Sequence, residues 1–247
     1  MSVSWIAADW TAPDNVVAGT TLRTGGVSND EFASLNLADH VGDEYAAVAE
    51  NRRRLQADLS LPAEPNWLRQ VHGISVARDN SLRSTPDADG MVATAADVVC
   101  AVLTADCLPV LMTTSNGTTV AAAHAGWRGL SAGILEATVA SLESPAEQII
   151  AWLGPAISQP AFEVGDEVRE QFMSGIGAAE ACFSANSRGR WQADLYGLAT
   201  LRLRNCGVTR VFGGGACTHA EPERFFSFRR DGRCGRMVTF IYRRDEQ

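Results

Sequence analysis

The most restrictive feature of this sequence is a pair of apolar runs joined by Asn116 and Gly117. The runs read "PVLMTTS" and "TTVAAAHAG". Asn-Gly between two such runs is the strongest short signal for a β-hairpin, usually closed by a two-residue type I′ turn. With Asn116 and Gly117 as the loop, Ser115 pairs with Thr118, and every further pair follows from that register. The sequence therefore predicts two adjacent antiparallel strands whose facing residues can be named in advance.

The predicted register brings a cysteine and a histidine together. Cys107 falls opposite Gly126, and His124 lies two residues before Gly126 on the same face. Cys107 and His124 are then diagonal neighbours, with Cα atoms about 7–8 Å apart. That separation suits two ligands of one ion, since zinc binds sulfur at ~2.3 Å and nitrogen at ~2.0–2.1 Å. A three-residue loop would place them on opposite faces, and ordinary burial in the core is the competing interpretation.

A third candidate ligand is His72, in the motif "QVHG". Three protein ligands with an open fourth position are typical of a catalytic zinc site rather than a structural one. A thiolate with two imidazoles favours zinc or copper over magnesium or calcium. His72, Cys107 and His124 are therefore candidate ligands for zinc or copper, with ordinary packing in the core as the alternative that the spacing leaves open.

Charge and composition narrow the function classes. The formal net charge is −8 at pH 7, which argues against nucleic acid as the main partner, because phosphate binding usually requires a basic patch. The start "MSVSWIAADWTAPDN" does not resemble a secretory signal. No apolar run is long enough to span a membrane, and six scattered cysteines without a C-x-x-C pair indicate reduced thiols. We expect a cytoplasmic protein without membrane or nucleic-acid partners.

All 21 basic side chains are arginines, so the sequence contains no lysine. This excludes a P-loop lysine, a Schiff-base lysine and covalent attachment of pyridoxal phosphate. A bound phosphate or carboxylate would be held by guanidinium groups or by main-chain N–H groups.

Strand-like and helix-like segments alternate irregularly along the chain. Helical spacing is found in "DEYAAVAENRRRLQADL", "GLSAGILEATVASL", "GDEVREQFM" and "DLYGLATLRLRNCG", with strand-like runs between them. Mixed order of this kind predicts an α/β (α+β) fold with mixed β-sheets flanked by helices. Strict βαβ repetition is lacking, which argues against a Rossmann or TIM architecture. No linker or internal repeat is evident, so we expect one catalytic domain over residues 1–247.

Several motifs follow one another in the order found in a known family. They are "QVHG", "TADCLPVL", "AAAHAGWRGL", "WLGPAIS" with "FEVG", and "FFSFRRDG" with "GRM". In these the chain resembles the YfiH-like proteins, also called the laccase-domain or multicopper polyphenol oxidase family. The N-terminal "RTGGVS" and "FASLNLADHVGD" fit as well, so the resemblance covers nearly the whole chain.

The resemblance implies a zinc ion held by His72, Cys107 and His124, which are also the catalytic candidates. It implies phosphorolysis of adenosine, inosine or S-methyl-5′-thioadenosine to the free base and ribose 1-phosphate. Adenosine deamination is the implied second activity. The expected partners are therefore small purine nucleosides and phosphate.

The resemblance also implies substrate-binding residues outside the ligand set. Arg52, in "ENRRRL", matches an arginine near the substrate, where it would contact phosphate or ribose. Ser227 and Arg229, in "FFSFRR", match a segment that borders the site. Phe228 stands where relatives often have tyrosine, which puts a hydroxyl contact there in doubt.

Three further polar residues lie in matching motifs without an assigned role. Asn36 and His40 belong to "LNLADH". Asp106 is next to Cys107 and is a candidate for moving a proton, unless its side chain points away from the site.

Two other enzyme classes remain open. In a metal-free cysteine hydrolase, Cys107 would be the nucleophile and His124 its base, which suits the removal of a wrong amino acid from a peptidoglycan precursor. A copper-dependent polyphenol oxidase (laccase) requires many histidines, typically in H-x-H pairs. The four histidines here (His40, His72, His124 and His219) include no such pair, which disfavours laccase chemistry. A non-enzymatic interaction module is favoured least.

Overall fold

A computed structural model describes residues 2–79, 85–175 and 177–245. Its strands are β1 (Trp5–Ala7), β2 (Val16–Thr21), β3 (Val76–Arg78), β4 (Gly90–Ala93), β5 (Cys100–Thr104), β6 (Leu108–Thr114), β7 (Val120–Ala125), β8 (Ile149–Leu153), β9 (Glu163–Val164), β10 (Phe183–Ala185), β11 (Trp191–Ala193), β12 (Arg210–Gly213) and β13 (Met237–Arg243). Its α-helices are α1 (Tyr45–Asp58), α2 (Trp127–Ala132), α3 (Ile134–Ser141), α4 (Asp166–Met173), α5 (Leu195–Asn205) and α6 (Phe228–Asp231).

The predicted hairpin forms the centre of the largest sheet. The strand order in this six-stranded sheet is β12-β8-β6-β7-β4-β3. Strands β6 and β7 pair antiparallel, with Leu108 opposite Ala125 and Thr113 opposite Val120. The register is the one that the Asn-Gly turn predicts, so Cys107 and His124 share a face as expected.

The turn itself differs from the prediction. Thr114 donates its N–H to the carbonyl of Thr119 (3.1 Å) and accepts from Gly117 (2.8 Å), so four residues, not two, lie between the last paired positions. Gly117 has φ of 68°, a backbone conformation that glycine adopts without strain. Because two residues and four residues have the same parity, the wider loop preserves the register and the faces.

The six-stranded sheet is buried on both faces. Val110 and Met112 of β6 pack with α3 and α5 in one apolar cluster, whereas Leu111 packs in another cluster with Ile241 of β13. This alternation places helices on one face and the four-stranded sheet β1-β2-β13-β5 on the other. Burial on both faces explains why the strands read as continuous apolar runs.

Helix α1 covers the far side of the four-stranded sheet, where Leu55 packs with Leu103 and Phe240. A small sheet of order β10-β11-β9 completes the architecture. The predicted α/β class with mixed sheets flanked by helices is confirmed. The helix predicted over "GLSAGILEATVASL" is wrong in one respect, because Gly133, with φ of 111°, separates α2 from α3.

Among the described residues, no helix combines the length and the apolar character that a membrane-spanning helix requires.

Candidate metal centre

Three side chains from distant parts of the chain converge at one end of the central hairpin. His72 lies in the loop before β3, Cys107 immediately before β6, and His124 near the end of β7. The Sγ atom of Cys107 is 4.0 Å from Nε2 of His72, and one ligand atom from each residue lies within 4.8 Å of the others. The two imidazole rings meet edge to face, with their centres 4.8 Å apart. The three donors are thus close enough to share one ion after small side-chain shifts.

Gly126 shows how tightly the three side chains enclose this point. A methyl group at Gly126 would lie 2.9 Å from Cδ2 of His72, 3.1 Å from Sγ of Cys107 and 3.4 Å from Cε1 of His124. All three ligand candidates therefore line the space above one glycine, which leaves no room for a larger residue. A thiolate with two imidazoles in such a cradle fits a zinc ion.

Asp89 accepts hydrogen bonds from both histidines. Its fully buried carboxylate accepts the backbone N–H groups of Val71 (3.1 Å), His72 (2.9 Å) and Gly73 (2.7 Å). It also accepts Nδ1 of His124 at 2.8 Å. Because a carboxylate accepts this bond, Nδ1 carries the proton and Nε2 is left as the nitrogen available to bind a metal.

The same contacts explain an unusual backbone. His72 has φ of 60°, in the left-handed region that costs about 1–3 kcal/mol for a residue with a side chain. Three consecutive N–H groups bound to Asp89 fix the loop in this conformation. Burial opposes ionisation of Asp89, but hydrogen bonds from His124 and Gly73 outweigh it and hold its pKa below the usual value.

Cys107 and His124 perturb each other's ionisation. Burial of the Cys107 thiol raises its pKa, but the charge and hydrogen bond of His124, followed by those of His72, outweigh burial and lower it. Burial of His124 lowers its pKa, but the Cys107 thiolate and Asp89 outweigh burial and raise it. The thiolate, which is the form that binds metals and attacks carbonyl carbons, is therefore favoured near neutral pH.

A cavity of about 350 Å³ opens directly above these residues. This volume is in the range of small-ligand sites. Its walls combine the three ligand candidates with aromatic, apolar and cationic side chains. The lining residues are His40, Gln70, His72, Leu103, Thr104, Ala105, Asp106, Cys107, His124, Ile157, Phe162, Phe228, Arg229 and Arg236.

The substrate-binding candidates are placed differently. Arg229 lines the cavity. Ser227 is fully buried and caps α6, where its Oγ accepts the N–H of Arg230 at 3.2 Å, so its observed contact is structural. Arg52 lines a second cavity beside Asp39 and stacks on Trp67, with its guanidinium carbon 4.1 Å from the ring centre. Contact of Arg52 or Ser227 with a substrate stays a prediction.

Of the other residues noted in the sequence, some line the cavity and others form hydrogen bonds that stabilise the surrounding segments. His40 and Phe228 line the cavity. Asn36 is buried and bonds Asp43 at 2.9 Å. Asp106 faces the cavity, but its two carboxylate oxygens accept the hydroxyl of Thr218 (2.6 Å) and the N–H of Arg229 (2.7 Å). Its observed role is to anchor these segments.

Sequence reasoning missed Asp89, Phe162 and Arg236. Asp89 precedes β4 in "DADG", and a carboxylate just before a buried strand was the signal that could have found it. Phe162 and Arg236 lie in the motifs "FEVG" and "GRM", but they are far along the chain from Cys107, and neither motif by itself shows that its residue reaches the cavity.

The geometry agrees with the similarity of this chain to known proteins. Residues 17–244 match the family described as Multi-copper polyphenol oxidoreductase laccase. The chain is 49% identical over 244 residues to a Pseudomonas aeruginosa protein named purine nucleoside phosphorylase, covering 98% of this chain and 99% of the relative. It is 50% identical over 238 residues to purine nucleoside phosphorylase YfiH of Escherichia coli, covering 96% and 98%.

Solved structures show the same fold. A DUF152 protein from Neisseria meningitidis superimposes with a TM-score of 0.95 at 46% identity, covering 98% of this chain and 100% of that one. YlmD from Geobacillus stearothermophilus superimposes with a TM-score of 0.86 at 32% identity, covering 94% and 93%.

Proposed function

The chain belongs to the multi-copper polyphenol oxidoreductase laccase family, and we propose that within it the protein acts as a zinc-dependent purine nucleoside phosphorylase. The observation that carries the proposal is one cavity in which three candidate metal ligands meet arginines and aromatic rings. Full-length relatives named purine nucleoside phosphorylase support it. The proposed substrates are adenosine, inosine and S-methyl-5′-thioadenosine, each with inorganic phosphate, in the cytoplasm.

We propose that His72, Cys107 and His124 hold the zinc ion, which when bound would supply Lewis-acid polarisation of a substrate atom. The residues fit this task because Asp89 fixes the protonated nitrogen of His124 and the loop of His72. The lowered pKa of Cys107 keeps its ligand form available at neutral pH.

In phosphorolysis the bond between C1′ and the purine nitrogen breaks, and a bond forms between C1′ and a phosphate oxygen. The base leaves with the bonding electrons and takes up a proton. Phe162, Ile157 and Leu103 give the cavity an apolar wall that suits a flat purine and excludes water. Arginine would hold the phosphate, because guanidinium groups match its oxygens in pairs.

We include adenosine deamination as a second activity of the same cavity. There water replaces the amino group at C6 and ammonia leaves. Both reactions require a purine ring inside the cavity. They differ in which edge of the ring faces His72, Cys107 and His124.

The decisive experiment is conversion of adenosine with and without inorganic phosphate, with the products separated by chromatography. We expect adenine and ribose 1-phosphate in equal amounts, formed only with phosphate. The His72→Ala variant is expected to lose this reaction, whereas His219→Ala, outside the cavity, should retain it. Adenine release that is independent of phosphate, or no turnover by the wild type, would contradict the proposal.

A cysteine hydrolase is the second candidate, favoured by one observation. The Asp89 carboxylate accepts Nδ1 of His124, and His124 in turn interacts with the Cys107 thiol. This is the order of an orienting carboxylate, a base and a nucleophile. A peptidoglycan precursor would be the substrate class. Alkylation by iodoacetamide separates the two: a free nucleophile reacts while metal is present, whereas a zinc-bound thiolate reacts only after chelation.

Polyphenol oxidation receives less support from the donor set. Among the described residues, His72, Cys107 and His124 are the one group of three or more side chains able to share an ion. A centre with several copper ions would require further ligands. The three side chains could bind a single copper ion in place of zinc.

A further inference from the structure

The cavity has two chemically different sides. His72, Cys107 and His124 form one side, and Arg229 and Arg236 belong to the other. The chain as a whole carries a formal charge of −8, so two arginines in one small cavity are against the general trend of the surface. Such a concentration of positive charge is what an anionic ligand requires.

The arginines of the segment 224–236 fall into two groups. Three form ion pairs: Arg224 with Glu221, Arg230 with Asp231 and Arg233 with Glu31. The other two, Arg229 and Arg236, line the cavity, and no carboxylate of the described residues lies within ion-pair distance of either guanidinium. The segment thus neutralises its arginines except where they face the cavity.

Arg236 is half-buried, and backbone carbonyls orient it. Its Nη1 donates to the carbonyls of Cys234 (2.8 Å) and Gly235 (3.0 Å). The guanidinium carbon is 5.9 Å from the ring centre of Phe228. One edge of the guanidinium is therefore fixed, while Nε and Nη2 are left to donate to a ligand.

Arg229 is oriented in the same way. Its Nη1 donates to the carbonyl of Glu163 at 2.9 Å, and its guanidinium carbon is 5.3 Å from the ring centre of Phe162. Its backbone N–H is bound by Asp106. Both arginines therefore combine a carbonyl anchor with an aromatic ring, so little side-chain entropy remains to be lost when an anion binds.

The acidic residue of the cavity, Asp106, forms no ion pair with either guanidinium group. Both oxygens of Asp106 are engaged, one by Thr218 and one by the main chain of Arg229. Asp106 thus accepts hydrogen bonds from the backbone of Arg229 and the side chain of Thr218, and it does not bind the guanidinium groups.

We propose that Arg229 and Arg236 form the oxyanion subsite of the cavity and bind inorganic phosphate as the second substrate. The inference rests on the proposed phosphorylase function, and it assigns the phosphate to this side of the cavity, away from Arg52 in its separate cavity. The nucleoside then lies between the phosphate and the candidate metal ligands.

Steady-state kinetics of Arg236→Gln and Arg229→Gln test this assignment. Hydrogen bonds to charged groups predict an increase of about ten- to a hundredfold in the KM for phosphate for each variant, with the KM for adenosine changed less than about threefold. Arg236→Lys, which keeps the charge without the planar fork, should fall between wild type and Arg236→Gln. The matched control is Arg233→Gln, three residues away and paired with Glu31 outside the cavity.

An unchanged KM for phosphate in both glutamine variants would overturn the subsite while leaving the phosphorylase function intact. An equal rise in both KM values would also overturn it, because that result indicates a general disturbance of the cavity. Zinc content, measured on every variant, should match wild type.

A binding measurement keeps the test independent of turnover. Inorganic phosphate should raise the Tm of the wild type and of Arg233→Gln, but not that of the double variant Arg229→Gln/Arg236→Gln. If the wild type shows this shift without phosphorolysis, the subsite stands and the proposed function fails. Stabilisation by adenosine 5′-monophosphate but not by inorganic phosphate would overturn the assignment in favour of a nucleotide phosphate.

Discussion

The two sides of the cavity are built in opposite ways. On the metal side, His124 is 3% exposed within a central strand, and Asp89 beneath it is fully buried. On the arginine side, Phe228 is 57% exposed on a helix of four residues, and Arg229 follows it. The metal side is fixed by sheet register and buried hydrogen bonds, whereas the arginine side is a short surface segment anchored at a few points.

This difference separates two tasks. Ligands of one ion must be positioned within tenths of an ångström, which strands and buried carboxylates can provide. Substrates must enter and leave, which favours a segment near the surface. We therefore predict large, metal-linked effects on one side and substrate-linked effects on the other.

The largest effect is expected from Cys107→Ala. Loss of a proposed zinc ligand should reduce kcat/KM for adenosine phosphorolysis by more than the roughly 10- to 100-fold that outer ligand partners cost, together with loss of bound zinc. Steady-state kinetics and elemental analysis measure both. Cys206→Ala, at the end of α5 and outside the cavity, is the control. Full activity of Cys107→Ala would contradict the role assigned to the metal side of the cavity.

Asp89→Asn is expected to have the next largest effect. An amide cannot accept every N–H group that Asp89 binds, so the His72 loop and the His124 ring lose their common anchor. We expect zinc affinity to fall about 10- to 100-fold, measured by competition with a chelator. Asp87→Asn, two residues away, removes only an exposed pair with Arg69 and should leave zinc affinity unchanged.

Gly126→Ala provides a milder test of the metal side. The backbone of Gly126 (φ −61°, ψ 153°) suits alanine, so any effect arises from the added methyl group against His72 and Cys107. At the low end of overpacking costs, about 1 kcal/mol, zinc affinity should fall roughly fivefold. Gly215→Ala, where the added methyl contacts nothing within 4 Å, is the control, and equal zinc affinities would show that the cradle is looser than described.

The smallest effect concerns the pH dependence of the metal-free protein. The Cys107 thiol has its pKa lowered to about 6, so its stabilisation is lost as pH falls through that value. His124 has its pKa raised to about 9, so its stabilisation is lost as pH rises through that value. The Tm of the chelator-treated protein should be highest between these pH values. Cys107→Ala should flatten the profile, and an identical profile in that variant would contradict the pairing.

The metal side of the cavity could be predicted from the sequence in large part, and the arginine side could not. Cys107 and His124 were placed together because the parity of one hairpin fixes their face, and the four-residue loop preserved it. His72 was found only through its motif and the family resemblance, since its position depends on Asp89. The break at Gly133 was missed because the apolar spacing continues through it.

The arginine side could not be predicted in the same way. Arg229 was suggested by resemblance, and Arg236 was not found, because their approach to Cys107 depends on tertiary packing instead of local spacing. Arg52 resembles a substrate-binding residue in sequence, yet its side chain lines a neighbouring cavity. Ion pairing within 224–236 distinguishes cavity arginines from surface arginines, and it is visible only in three dimensions.

The most direct test is anomalous diffraction at the zinc edge from crystals of the wild-type protein. We predict one zinc peak per chain, with the ion bound by Sγ of Cys107, Nε2 of His124 and a ring nitrogen of His72 at about 2.0–2.3 Å. A structure in which zinc lies elsewhere, or in which Cys107 is a free thiol in the active protein, would contradict it.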